Sequence, residues 1–352
     1  MGNIIIDQYI FCDTYTEAQN VRQAFNGFKL KFYSLGRNSS IYAKRFIRKN
    51  NSKYHPYSVI VSYKINYDGE FEEYGYLDKK TKERYPELSE KLKYQDEYEK
   101  IDTIHYYECL EENTYRDIVY YQDFNFFFDK RLIPLLNNIF IASVIAFANK
   151  YNAGYFSICY TEKGMNYERV YSAHKTFGHT VPNEIFPNCD MGIISLATVW
   201  AWMKKRHKYK KDRLDSVARP VTALTYALNR NNHERIFYSV VGLESVFTKS
   251  EHKVRKQLKD TIPFVFKDVS EQIIDELFSK RSDFAHGDII FPDFYENEKV
   301  THYWSDASNT VEKSTALLIM TIRELVKQNA IQILRDDQGK IVYKNHQLPC
   351  WD

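Results

Sequence analysis

Arg281-Ser282-Asp283-Phe284-Ala285-His286, followed at once by Gly287, is the stretch of this 352-residue chain whose residue types and spacing suit chemistry. The planar guanidinium of an arginine holds a phosphate, and an imidazole gains and loses a proton near neutral pH. Together they supply what RNA cleavage without a metal requires: a cation for the charge that builds on phosphorus and a group that moves protons. Asp283 is placed to orient His286 by a hydrogen bond, and Ser282 lies beside the arginine as a substrate-binding candidate. Glu244, earlier in the chain, is the fourth candidate catalytic residue with Arg281, His286 and Asp283.

These residues need helices to position them. At about 100° per residue, Ile274, Leu277, Phe278 and Ala285 share one face of a predicted helix over 271–285, with Arg281 at its centre. A second predicted helix, over 234–248, repeats the pattern, with Phe237, Val240 and Val241 around Glu244. A charge on an apolar stripe is costly unless it is paired or lines a cleft, so opposite charges on neighbouring helices invite pairing. That pair reads either as a structural ion pair or as Glu244 holding Arg281 toward a phosphate, and the two readings are compatible. His286 is five residues beyond Arg281, about 140° around an ideal helix. Either Gly287 lets the helix end turn back in a left-handed cap, or a second subunit completes the site across a two-fold axis.

Composition sets bounds. Charged residues are 27% of the chain and hydrophobic ones 44%, which suits a globular protein. The net charge of +3 makes the chain no polycation, so nucleic-acid affinity has to come from a local patch. Five scattered cysteines without a CxxC pair argue against a disulfide framework and a zinc site, and place the chain in a reducing cytoplasm. The sequence contains no DxD or HExxH motif, and neither a metal nor a cofactor is expected. The opening MGNIIIDQYIFCD lacks a basic region and a long apolar core, so it is a poor signal peptide. Ile6 stands where a myristoylation signal has Ser or Thr. The longest apolar run, 139–148, is too short to span a bilayer, and no membrane partner is expected.

The pattern predicts an α+β protein: an N-terminal mixed region with antiparallel strands, then an all-α bundle of four to five helices. Val59, Val61, Tyr63, Ile65 and Tyr67 alternate as a half-buried strand, and Asp68-Gly69 suggests a hairpin. Strands are also predicted over 118–128 and 155–161, exposed helix or loop over 79–100, and an apolar helix over 132–151 with Pro134 in its first turn. Further helices are predicted over 193–208, 220–229, 253–258 and 310–329, with a loop over 288–308. The domains are drawn at 1–192 (sensing or regulatory), 193–335 (helical) and 336–352 (tail), with the first two packed together. Ile341-Val342-Tyr343 adds a short strand or docks.

At Arg281 to Gly287 the sequence resembles the HEPN superfamily, specifically the ApeA-like group of bacterial anti-phage proteins. The family signature is an arginine, four to six residues, then a histidine at the end of a bundle helix. The stretch Tyr238 to Phe247, with Leu243-Glu244, resembles the family's helix bearing a Leu-Glu pair. The resemblance covers roughly 215–330. It implies a homodimer through the helical domain, with two Arg/His motifs facing each other. It implies a metal-independent endoribonuclease acting on RNA, including tRNA, as an abortive-infection effector or toxin answering a phage-derived trigger. Two positions depart from the pattern. Ser282 follows the arginine, where active members often have Asn, Asp or His. Asp288 stands two places after the histidine, where members controlled by adenylylation carry Tyr.

Cleavage would use the 2′-OH as nucleophile. A base takes its proton, the oxygen attacks phosphorus, and an acid protonates the departing 5′ oxygen, leaving a cyclic phosphate. His286 is the candidate for base or acid, and Arg281 stabilises the transition state. Lys204, Lys205, Arg206, Lys208, Lys210 and Lys211 form a basic run suited to a phosphate backbone, although such runs are commonly solvated faces. The aromatic stretch Phe291, Phe294, Tyr295, Tyr303 and Trp304 suits base stacking or packing over the bundle. A non-catalytic module of the same type, binding nucleic acid or a protein partner, is the alternative.

Overall fold

The computed structural model describes residues 2–28, 40–53, 55–67, 132–147, 152–162, 165–171, 182–189, 192–208, 218–230, 232–249, 252–287 and 297–345. The protein is α+β. Among the described residues five antiparallel strands form one sheet: β1 (Gly2–Cys12), β2 (Ser40–Lys49), β3 (Tyr57–Tyr67), β4 (Asn152–Glu162) and β5 (Met165–Tyr171), in the order β2-β3-β1-β4-β5. β1 is central, paired with β3 on one edge and β4 on the other, and Ile4, Ile6, Ile10 and Cys12 alternate onto its buried face. Ile4 faces Ile65 of β3 and Tyr160 of β4.

Helix α1 (Tyr15–Ala24) packs on the sheet through Ala18, Val21 and Ala24. Its start is capped twice: Thr14 Oγ1 accepts from the Glu17 amide at 3.1 Å, and Glu17 accepts from the Asp13 amide at 3.0 Å. Helix α2 (Ile133–Phe147) is buried at every position from 139 to 147. Its even hydrophobicity fits a helix surrounded by protein. Ser143, the polar residue in that run, donates to the Ile139 carbonyl at 2.8 Å and accepts from Gln8 of β1 at 3.2 Å, and Tyr63 donates to Gln8 at 3.4 Å.

After the short α3 (Pro182–Ile185) come α4 (Leu196–Lys208), α5 (Ala218–Leu228), α6 (Asn232–Phe247), α7 (Val254–Val265), α8 (Glu271–His286) and α9 (Asn297–Lys327). A hairpin of β6 (Gln332–Arg335) and β7 (Ile341–Lys344) follows and packs against α7. Helix α6 lies at the centre, against α5, α7, α8 and α9. Gly242 permits that approach: a Cβ there would fall 2.7 Å from Leu318 Cδ1 and 2.9 Å from Ala223 Cβ. One hydrophobic core runs from the sheet through α2 into these helices, so the two parts pack together.

Several expectations are corrected. Helix α9 begins at Asn297, so the predicted loop over 288–308 is helical from 297 onward, and Tyr303 and Trp304 lie on a helix. Helix α7 runs seven residues beyond the predicted 258, carrying Pro263 in its last turns. The C-terminal region is not all-α, because β6 lies before 335 and pairs across the boundary drawn there. Strand β3 is buried on both faces over 58–61 rather than half-buried, because Ser58 and Ile60 are covered as well as Val59 and Val61. Strands β1, β2 and β5 and helix α1 are elements that the sequence patterns do not announce. The predicted turn at 68–69, the segment 79–100, the strand over 118–128, Phe291, Phe294 and Tyr295 lie outside the described residues. Among the described residues no helix is long and apolar enough to cross a membrane.

Candidate active site

Helix α8 carries the motif, and its ends are set by local chemistry. Ser270 Oγ accepts from the Ile273 amide at 3.4 Å at the start. Gly287 closes the helix at φ 76, its amide reaching the Asp283 and Phe284 carbonyls. His286 is therefore the last helical residue, exposed to solvent, and keeps regular helical spacing from Arg281. The cap begins one residue too late to turn the imidazole back. Within one chain the two side chains diverge by about 140°.

Glu244 and Arg281 do meet. Arg281 Nη2 lies 3.6 Å from Glu244 Oε2, with the side chains 26% and 19% exposed. At that length the contact is electrostatic rather than a hydrogen bond, so it leaves the Nη donors unused by Glu244. Arg281 Nε is buried and has no acceptor among the described residues. The guanidinium carbon sits 5.6 Å from the Phe237 ring and 5.7 Å from the Phe278 ring, close enough for cation–π attraction. Phe284 packs on Phe237 at 5.6 Å. Burial pushes the Glu244 carboxyl above its ordinary range, and the Arg281 cation pulls it partly back.

Arg281 keeps its predicted place, in line with the buried Ile274 and Leu277 of α8, but Glu244 does not sit at the centre of its stripe as the periodicity predicts. The buried face of α6 is Ile236, Ser239, Val240, Leu243, Val246 and Phe247. Glu244 is about 80° around from Ile236, on the flank that looks toward α8. The error has a physical source. Ser239 and Gly242 are buried because α9 and α5 come close there, and a hydropathy stripe discounts both residues.

Ser282 and Asp283 are partly exposed on α8. Asp283 is three residues before His286, one helical neighbour away. Lys204 is exposed on α4; Lys205, Arg206 and Lys208 lie on the same helix, and Lys210 and Lys211 are outside the described residues. The structure thus joins Glu244 to Arg281 and surrounds the arginine with phenylalanines that sequence periodicity assigns to the core. It does not bring His286 to either charge within the chain. Among the described residues no group of three or more His, Cys, Asp or Glu is arranged to hold a metal ion. Comparison with family models, curated proteins and solved structures finds no match for this chain.

Proposed function

We propose that the protein is a metal-independent endoribonuclease of the HEPN type, acting on RNA, including tRNA, as an anti-phage effector. The observation that carries this reading is the setting of Arg281. Its guanidinium is held between two phenylalanine rings and beside a carboxylate, at a partly open position, without hydrogen bonding to that carboxylate. A guanidinium so fixed is ready to donate to a phosphate oxygen. Glu244 acts as a positioning residue. The exposed His286 moves the proton.

Because Arg281 and His286 point apart on one helix, the site is composite. A homodimer brings the imidazole of one copy to the guanidinium of the other, which also supplies two histidines, one base and one acid. The HEPN-like helices form the effector, and the sheet-bearing region of 1–192 answers a phage-derived trigger. The same divergence favours a second reading, a non-catalytic module that binds nucleic acid or a protein partner through Arg281.

Induction of the wild type and of an Arg281→Ala, His286→Ala double variant separates the two readings. Fragmented total RNA and arrested growth with the wild type alone support the nuclease. Intact RNA throughout infection, or full toxicity from the double variant, rejects it.

A further inference from the structure

The aromatic side chains beside Arg281 continue outward in a way the ribonuclease reading does not use. Phe237, against the guanidinium, meets Tyr238 edge-on at 5.4 Å, and Tyr238 stacks on Tyr226 of α5 at 5.0 Å and 21° between planes. Tyr226 is 47% exposed although its ring is stacked on a neighbour. It does not stand alone on its helix. Arg219, Thr222, Tyr226 and Arg230 recur at intervals of three and four residues, which aligns them on one face of α5 and its C-terminal turn, and all four are exposed. Arg219 precedes the tyrosine by about 10 Å along the axis and Arg230 follows it by about 6 Å. Arg230 pairs with Glu234 at 3.8 Å, but both side chains are nearly half exposed, so the contact is weak and easily exchanged.

A preformed aromatic face between two guanidinium groups matches one occupant best. Each unpaired base offers a flat π surface, and each link of its backbone offers a negative charge. A duplex hides its base faces and cannot use such a ring. We infer that the Tyr226–Tyr238 stack with Arg219 and Arg230 is a docking platform for single-stranded RNA that leads the strand toward Arg281. The choice of RNA over other single strands rests on the ribonuclease reading; the platform itself rests on the geometry of α5 and α6. It offers base stacking a second surface besides the one the sequence suggests for 291–304, at Tyr226, whose ring is open to solvent.

The test measures binding, not cleavage. Full-length chain carrying His286→Ala, which leaves the strip intact, is titrated against a short fluorescein-labelled oligouridylate by fluorescence anisotropy. The same-length oligouridylate–oligoadenylate duplex is the control. Tyr226→Ala should weaken single-strand binding by about five-fold or more, since one base stack is worth roughly 1–3 kcal/mol and about 1.4 kcal/mol is tenfold. Tyr226→Phe should bind like the parent. Arg219→Ala with Arg230→Ala should make the salt dependence shallower by about 0.7 for each guanidinium removed. Because Tyr226 is exposed, circular dichroism should show each variant folded.

Unchanged affinity in Tyr226→Ala overturns the inference, as does equal affinity for the duplex or no binding of oligouridylate at all. A shift from dimer to monomer on sedimentation, with RNA affinity unchanged, would assign the surface to a second copy and overturn it too. The two readings fail separately. Tyr226-dependent binding with cellular RNA left intact sinks only the nuclease. Cleavage by the wild type together with Tyr226-independent binding sinks only the platform.

Discussion

Arg323 of α9 offers the most direct test of how the sheet and the helices hold together. Its side chain is 1% exposed, and backbone carbonyls of distant segments hold its guanidinium. Nη1 donates to the Ile145 carbonyl at 2.5 Å and the Ala146 carbonyl at 3.0 Å, and Nη2 donates to the Gly192 carbonyl. Ile145 and Ala146 end α2, where helix carbonyls lack intrahelical partners and the dipole favours a cation. Replacement by methionine keeps most of the apolar stem and deletes the donors. The Ala146 carbonyl retains the Ile194 amide at 2.9 Å, and exposed Gly192 can turn to water, so one buried carbonyl, that of Ile145, is stripped. Leaving it unsatisfied costs about 1–3 kcal/mol, and losing the cation at the helix end costs about 1 kcal/mol more. Arg323→Met should therefore destabilise the protein by roughly 2–4 kcal/mol. Arg323→Lys, a point charge that cannot span the three acceptors, should fall between it and the wild type. Urea unfolding followed by tryptophan fluorescence reads this well, because Trp202 donates to the Ala330 carbonyl at 2.9 Å just beyond α9. A methionine variant within about 0.5 kcal/mol of the wild type would refute the role given to these hydrogen bonds.

Two further outcomes follow from packing and charge. Gly242→Ala should gain about 1 kcal/mol of helix propensity and lose about 1–3 kcal/mol to overpacking, because the added methyl meets Ala223 Cβ as well as the buried Leu318. The net is a lower melting temperature, and a higher one would show that α5 or α9 moves aside freely. Glu244 gives a pH signature: its folded pKa is raised, so the folded state binds its proton more tightly than the unfolded chain does. The stability it contributes is then greatest at low pH, declines as pH rises from the unfolded glutamate value of about 4.3 through the raised folded value, and levels off above it. Urea midpoints of wild type minus Glu244→Gln should trace that decline as pH rises above about 4.3, the unfolded value. A flat or rising difference would mean that Arg281 outweighs burial.

The sequence is most legible where periodicity and end signals agree. Periodicity predicts the motif helix over 271–285 and the helix spans Glu271–His286, because Ser270 and Gly287 mark its ends chemically. The meeting of Glu244 and Arg281 also follows from helical spacing, although Glu244 lies on the flank of α6 while Arg281 is in line with the buried face of α8. What is illegible depends on packing between distant segments. β1 carries three consecutive isoleucines, Ile4 to Ile6, which blur the alternation and hide that it is the middle of a sheet. The start of α9 over 297–308 is polar and aromatic, a composition that suits a loop equally well. Arg323 lies in a helix whose sequence gives no hint that its partners are carbonyls 131 to 178 residues away. The aromatic cage of Arg281 is hidden for the opposite reason: Phe237 and Phe278 fit an apolar stripe so well that nothing distinguishes a core ring from a ring facing a cation.

Helix α9 also ties the motif to the sheet mechanically. Near its middle, Thr310 donates to Glu276 of α8, and Lys313 lies 3.5 Å from the same carboxylate, five residues before Arg281. Arg323, about 20 Å further along the same helix, holds the end of α2, which rests on the sheet through Ser143 and Gln8. One continuous helix thus fixes the motif helix at one point and the sheet's helix at another, and a rigid helix cannot satisfy one anchor while abandoning the other without bending. The position of Arg281 is therefore set by packing on both sides of the molecule. A single urea transition, coincident by tryptophan fluorescence and circular dichroism, is the behaviour this shared strut requires, and two transitions would show that the halves are not coupled through it.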